Sequence, residues 1–269
     1  MARNRTAGFQ EGRASSKRQP AAHVSLCGGY DWAVAHQEVR LLCSHRRREP
    51  RCTRKPDTQI HCGLAMRVLI GCEESQTVCK AFRARGHEAF SCDVVECSGG
   101  HPEWHIVSDV LKITKGGFFN TQNGDLHEVW NWDLGIFHPP CTRLCNSGVC
   151  WLEKRNLWAE LDEATAFFKA LLECGIQKIA IENPIPHKYA LQRIGRKYDQ
   201  IIHPWQFGHG EMKATCLWLR GLPKLQPTNI VDGREQRLHR LPPSPTRAKE
   251  RSKTYPGIGE AMAEQWGSL

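Results

Sequence analysis

The chain lacks a membrane-spanning segment, since none of its apolar runs approaches the roughly 18 residues that a bilayer requires. Its opening residues have no signal-peptide pattern, and its 13 cysteines have no regular spacing. A small disulfide framework is therefore excluded, and reduced thiols in a cytoplasm are expected. No C-x2-C pair occurs either. Cys43, His45, Cys52, His61 and Cys62 gather without the spacing of a common zinc site, so no metal is expected. Where a dinucleotide-binding loop carries three glycines, this chain has one, Gly71, followed by Cys72, Glu73 and Glu74. An acidic loop repels phosphate.

The net charge of +9 is unevenly spread, because residues 1–65 hold 12 Lys+Arg against 5 Asp+Glu. That segment is rich in Arg, Ser, Gly and Pro and has no sustained helical or strand period, which predicts a disordered basic extension. It would be either an arm with non-specific affinity for phosphates or a stretch with no role. Met66 stands immediately before the first clean strand and reads as a start in its own right, leaving 66–269 as the folded domain.

From Met66 the pattern becomes strand, helix, strand. Val68–Gly71 is a short apolar run, Glu74–Arg85 carries Val78, Ala81 and Phe82 on one helical face with Gly86 as its cap, and Glu88–Val94 reads as the second strand. Such a βαβ opening, with Asp93 at the end of strand two, suits an adenosine ligand whose ribose hydroxyls bond to the acid. The acidic first turn favours S-adenosylmethionine, which has a positive sulfonium and no phosphate. The alternative is an Asp93 that caps its strand. Trp104–Val107 reads as extended, and Gly116–Gly124 as an irregular loop.

Asp133–Cys141 organises the rest. A short apolar strand, Leu134–Phe137, runs into His138-Pro139-Pro140 and delivers Cys141 on a loop that two prolines stiffen. Leu157–Cys174 has the buried stripe of an amphipathic helix, and the strand Lys178–Ile181 after it ends in Glu182-Asn183-Pro184. A right-handed crossover makes these two strands parallel neighbours whose ends open on one edge of the sheet. A helix at Lys188–Ile194, strands at Gln200–Phe207 and Ala214–Arg220 pairing as a hairpin, and a last helix at Gly259–Trp266 complete the expectation.

Pro139-Pro140-Cys141 and Glu182-Asn183-Pro184, in that order and separated by one helix, resemble the nucleophile loop and the Glu-Asn-Val element of the cytosine-5 DNA methyltransferase family, over roughly 66–269. The chain order looks like that of its compact, phage-type members. The resemblance implies an α/β, Rossmann-like class I S-adenosylmethionine-dependent methyltransferase fold, mostly parallel, with helices on both faces and the target-recognition domain much reduced or absent. It also implies a monomer in a bacterial or phage-infected cytoplasm that methylates DNA, with RNA left open.

By the same resemblance, Cys141 and Glu182 are catalytic, and Lys213 is the cation nearest to where the family has a Gln-x-Arg-x-Arg element that is missing here. Gly71, Cys72, Glu73 and Pro139 would lie at the donor, Asp93 at its ribose and Asp109 at its adenine. Arg143, Asn146 and Asn183 are the substrate-binding candidates. A thiolate at Cys141 would add to carbon 6 of cytosine, with Glu182 stabilising charge at ring nitrogen 3. The rival readings are an amino-methyltransferase, whose Asp/Asn/Ser-Pro-Pro-aromatic loop is altered here at both ends, and a non-catalytic binding protein that keeps the fold.

Overall fold

The computed structural model describes residues 65–245 and 247–269. Apart from Ala65, the expected basic extension and the cluster from Cys43 to Cys62 lie outside the described residues.

The chain opens with β1 (Arg67–Gly71), α1 (Thr77–Ala84) and β2 (Glu88–Asp93), then β3 (His105–Val107) and α2 (Val110–Ile113). A separate pair, β4 (Gly117–Asn120) and β5 (Leu126–Val129), precedes β6 (Leu134–Phe137). Next come α3 (Val149–Lys154), α4 (Trp158–Leu172), β7 (Ile179–Pro184), α5 (Lys188–Ile194), β8 (Gln200–Ile202) and β9 (Thr215–Arg220). Three short helices end the chain: α6 (Arg237–Arg240), α7 (Arg247–Ser252) and α8 (Pro256–Trp266).

Seven strands form one sheet in the order β3-β2-β1-β6-β7-β9-β8. The first five are parallel, and β9 runs antiparallel to both β7 and β8. This is the Rossmann-like class I arrangement expected, with the chain reversing its direction of travel between β1 and β6. Both faces of the sheet are covered, so its central strands are apolar throughout instead of alternating. Leu69, Phe137, Ile179, Ile181 and Trp218 face one layer, where α4 supplies Leu161, Phe168 and Leu171. Val68, Ile70, Ile136, Ala180 and Leu217 face the other, against Val78 and Phe82 of α1 and Met262 and Trp266 of α8.

Four local expectations are corrected. Gly117–Asn120 is a strand, because Phe119 is buried against Phe90 and Trp132 at ring distances of 5.2 and 6.0 Å and anchors the hairpin despite its glycines. The strand expected over Gln200–Phe207 stops at Ile202, since Pro204 has no N–H and opens a 3-10 turn, Pro204–Gln206. The extended piece at Trp104–Val107 begins as a 3-10 turn over Pro102–Trp104. Finally, α8 starts at Pro256, a proline being suited to the first helical position.

Candidate active site

Parallel pairing of β6 with β7 places Phe137 beside Ile181, so His138, the first residue past β6, comes next to Glu182, which stays in β7 opposite Leu217 of β9. The His138 amide donates to the Gly71 carbonyl at 2.9 Å, which ties this corner to the end of β1. A Cβ on Gly71 would sit 2.5 Å from Val110 Cγ2 and 2.7 Å from Phe137 Cδ1, so glycine is needed there for close packing. Asn183 Nδ2 donates to the Pro139 carbonyl at 3.0 Å and locks the Pro-Pro corner to β7.

The loop after Cys141 is stitched down as firmly. The Cys141 carbonyl accepts from the Leu144 and Cys145 amides, both at 3.0 Å, closing one turn. The His187 amide donates to the Leu144 carbonyl at 3.0 Å, and the Asn146 amide donates to the Ile185 carbonyl at 3.3 Å. His187 is buried; its Nε2–H donates to the Arg143 carbonyl at 2.8 Å while its Nδ1 accepts from the Ala190 amide at 3.1 Å. Two groups that the sequence places 44 residues apart are thereby held as one unit.

His138 and Glu182 form the electrostatic centre. Nδ1 of His138 lies 2.8 Å from Oε2 of Glu182, and the two side chains are only 10% and 9% exposed. Burial opposes the charge on both. The mutual hydrogen bond outweighs it, together with the Glu182 and Glu73 charges, and raises the His138 pKa. On Glu182 burial is likewise outweighed by the bond to His138, the Lys213 charge and a bond to Thr215, so its carboxyl titrates below its ordinary range. His138 Nε2 is buried and has no protein partner among the described residues, so the ring keeps one position for a ligand.

Cys141 and Cys145 are free thiols one turn apart. The neighbouring Cys145 sulfur, then burial and the Glu182 charge, push the Cys141 thiol up. Cys145 moves the other way, lowered by Cys141 against its own burial and by Ser147, whose hydroxyl is 3.0 Å from its sulfur. The charge of Lys213 reaches Cys141, Glu182 and His138, but its ammonium donates to the Lys253 carbonyl at 3.0 Å. Lys213 therefore biases the site through its field.

Of the residues expected at the donor, Glu73 is turned inward. It is 4% exposed, and its carboxylate accepts from the Val78 and Cys79 amides at 2.6 and 3.2 Å, capping α1. Glu74 is paired with Lys249 at 3.4 Å. The acidic first turn anticipated from the sequence is thus engaged within the protein. Cys72, at φ +58°, donates its amide to the Cys92 carbonyl at 2.7 Å, and its thiol is pushed up to about 12 by burial and by the charges of Asp93 and Asp109. Those two carboxylates remain at the carboxyl edge of β2 and β3. Asp93 Oδ1 accepts from the Val95 amide at 3.3 Å, and Asp109 Oδ1 from the Leu111 amide at 3.0 Å, capping α2. Val94 and Val107 lie exposed beside them.

The substrate candidates separate. Asn146 is exposed on the loop after Cys141, whereas Asn183 is buried and braces Pro139. Arg143 is paired with Glu160 of α4 at 2.6 Å. Of the basic residues between β9 and α8, Arg237 pairs with Glu211 at 2.8 Å, and Arg234 lies 3.8 Å over the Trp205 ring. Sequence reasoning missed His138, Cys145 and Thr215 as members of the site. A signal for His138 existed, since adjacent parallel strands of known ends bring the residue after Phe137 next to Glu182.

A cavity of about 770 Å³ lies at the opposite edge of the sheet, lined by Met66, Trp132, Asp133 and Lys178, away from Cys141 and Glu182. Among the described residues no helix is long and apolar enough to cross a membrane.

No protein-family model matches the sequence, and no curated relative does. Among solved structures, a candidate DNA modification methyltransferase encoded within an E. coli prophage is similar at 13% identity and a TM-score of 0.39, covering 62% of this chain and 52% of that one. The Entamoeba histolytica methyltransferase EhMeth is similar at 15% identity and a TM-score of 0.38, covering 62% of this chain and 58% of its own. The chain thus matches little more than half the length of either.

Proposed function

We propose that this protein transfers a methyl group from S-adenosylmethionine to carbon 5 of cytosine in DNA through a covalent adduct on Cys141. The observation that carries this reading is the buried His138–Glu182 pair, which joins the corner that bears Cys141 to the neighbouring strand β7. A nucleophile beside a group able to lend a proton is what addition to a neutral, electron-poor ring demands.

The chemistry follows from the chain's own residues. The Cys141 sulfur bonds to carbon 6, and the displaced electron pair moves toward ring nitrogen 3. There the His138–Glu182 pair, holding one proton between an imidazole whose pKa is raised and a carboxyl whose pKa is lowered, lends that proton through Glu182. Carbon 5 becomes the nucleophile. When a solvent water takes the carbon-5 proton, that C–H electron pair forms the ring double bond, the bond from carbon 6 to sulfur breaks with its electrons on sulfur, and nitrogen 3 returns its proton to the pair.

S-adenosylmethionine, when bound, supplies an electrophilic methyl group on a sulfonium. The residues present suit it: the carboxylates of Asp93 and Asp109 offer acceptors for hydroxyls and a negative field for a cation, and Val94 and Val107 offer an apolar shelf. A stacked duplex hides carbon 6, so the base must flip out or arrive single-stranded.

An oligonucleotide carrying 5-fluorocytosine tests the proposal, because the methylated ring cannot lose fluorine as a cation. The expected result is an adduct that survives denaturation, requires S-adenosylmethionine, maps to Cys141 by peptide mass and is absent from Cys141→Ser. Methylation of the exocyclic nitrogen without a trapped species would replace this reading by the amino-methyltransferase one.

A further inference from the structure

We infer that Cys145 is the proton partner of Cys141: it carries the thiolate of the pair when no substrate is bound and takes the Cys141 proton as that sulfur bonds to carbon. The inference rests on the reading of Cys141 as nucleophile and supplies what that reading lacks. A thiol is a poor nucleophile until ionised. The imidazole nearest Cys141 is already committed to Glu182, at 2.8 Å.

The geometry favours Cys145. The turn closed on the Cys141 carbonyl brings residue 145 back over residue 141, and the bridge between Cys145 and Pro186 fixes it there. The Cys145 sulfur then meets the Ser147 hydroxyl at 3.0 Å, a group able to donate to an anion, while the Gly148 amide closes the turn on the Cys145 carbonyl at 3.1 Å. Cys141 instead faces the carboxylate of Glu182, which opposes a negative sulfur. The charges that bear on Cys141 are that of Glu182, from β7, and that of Lys213, from the segment before β9, which favours a negative sulfur.

The balance closes without an oxidant or further base. The Cys141 proton moves to the Cys145 sulfur as the bond from Cys141 to carbon 6 forms. When that bond breaks, the electron pair leaves with the Cys141 sulfur, which recovers its proton from Cys145. Cys145 acts on the ring only through Cys141 and is a positioning residue in this sense.

Two measurements test it. The first is the rate of 5-fluorocytosine adduct formation from pH 6 to 9.5 in the wild type, Cys145→Ser and Cys145→Ala. Serine keeps the size and hydrogen bonding of the side chain but not its acidity. Both variants should lose about thirtyfold or more at pH 7, since the thiolate deficit of an ordinary cysteine is deepened at Cys141 by burial and the Glu182 charge, and the loss should shrink steadily as pH rises to 9.5. A loss equal at every pH, a Cys145→Ser variant that behaves as wild type, or an adduct that maps to Cys145 would overturn the inference.

The second measurement needs no substrate and follows iodoacetamide alkylation of Cys145 by peptide mass. In the wild type its midpoint should lie well below 8.5, and Cys141→Ala should raise it by a pH unit or more, because the donor is gone. A wild-type midpoint near 8.5 overturns the shared proton. A wild type that alkylates as expected but forms no adduct refutes Cys141 as nucleophile, and with it the transfer to Cys145.

Discussion

Replacing His138 by glutamine should expose how the site balances its charges. The substitution removes the cation 2.8 Å from a carboxylate that is 9% exposed and leaves Glu182 with the Thr215 bond and the field of Lys213. Breaking a buried pair by removing one partner costs about 3–5 kcal/mol. For a domain of this size that corresponds to a fall in Tm of roughly 6–20 °C.

The pH dependence carries the sharper information. Because the folded pKa of His138 is raised, its contribution is complete below the unfolded value near 6.5 and is lost as pH rises through the folded value. Because that of Glu182 is depressed, its contribution is present above about 4.3 and is lost as pH falls through the folded value. The wild type should therefore gain most from the pair between about pH 4.5 and 6.5. In His138→Gln the orphaned carboxyl regains a proton in acid, so the Tm gap should narrow toward pH 4.5. Thermal melts of wild type, His138→Gln and the apolar double variant His138→Leu/Glu182→Met at half-unit steps decide the matter. The double variant should lose less than the single one. A gap of less than about 3 °C, or one that does not change with pH, would refute the charged pair.

Asp93→Ala should weaken S-adenosylmethionine binding about tenfold, roughly 1.4 kcal/mol, when followed by calorimetry, since a methyl group cannot replace charge-assisted bonds to hydroxyls; unchanged affinity in a folded variant removes Asp93 from the donor site. Gly71→Ala should cost about 1–3 kcal/mol in denaturant unfolding, because its Cβ would press on Val110 and Phe137. Arg220→Met should lower Tm: the guanidinium donates to the Leu172 carbonyl at 2.6 Å, to that of Cys174 at 2.5 Å and to that of Ile176, all half-buried bonds, each worth about 0.5–1.5 kcal/mol. A melt equal to wild type would mean that water replaces all three bonds.

Legibility followed the range of the interaction. The strand Leu134–Phe137 and the helix Lys188–Ile194 could be read to the residue, because a buried strand and a short amphipathic helix are written in consecutive side chains. That Cys141 and Glu182 share a sheet edge followed from crossover handedness alone. Finding the partner of Glu182 took one further step, carrying the register of β6 on β7 one residue past Phe137 to His138, 44 residues away in the chain. The direction of Glu73 was hidden for a related reason: sequence shows an acid in a turn but not where its carboxylate points, and here it meets the start of α1 after the left-handed Gln76. The strand at Gly117–Asn120 was hidden because its stability resides in Phe119 packing on aromatic rings from distant segments.

The reversal of β9 gives the reactive edge a mechanical property. The parallel strands arrive there and end, whereas β9 begins there, with Thr215 opposite Pro184. Its other end, at Arg220, is clamped to the carbonyls after α4 on the far side of the sheet. The strand works as a strut braced from behind. The segment beyond Arg220 returns to the segment before Thr215, where Arg237 meets Glu211 and the Lys253 carbonyl holds Lys213, so a change of length on either side of this strut would reach the lip of the site.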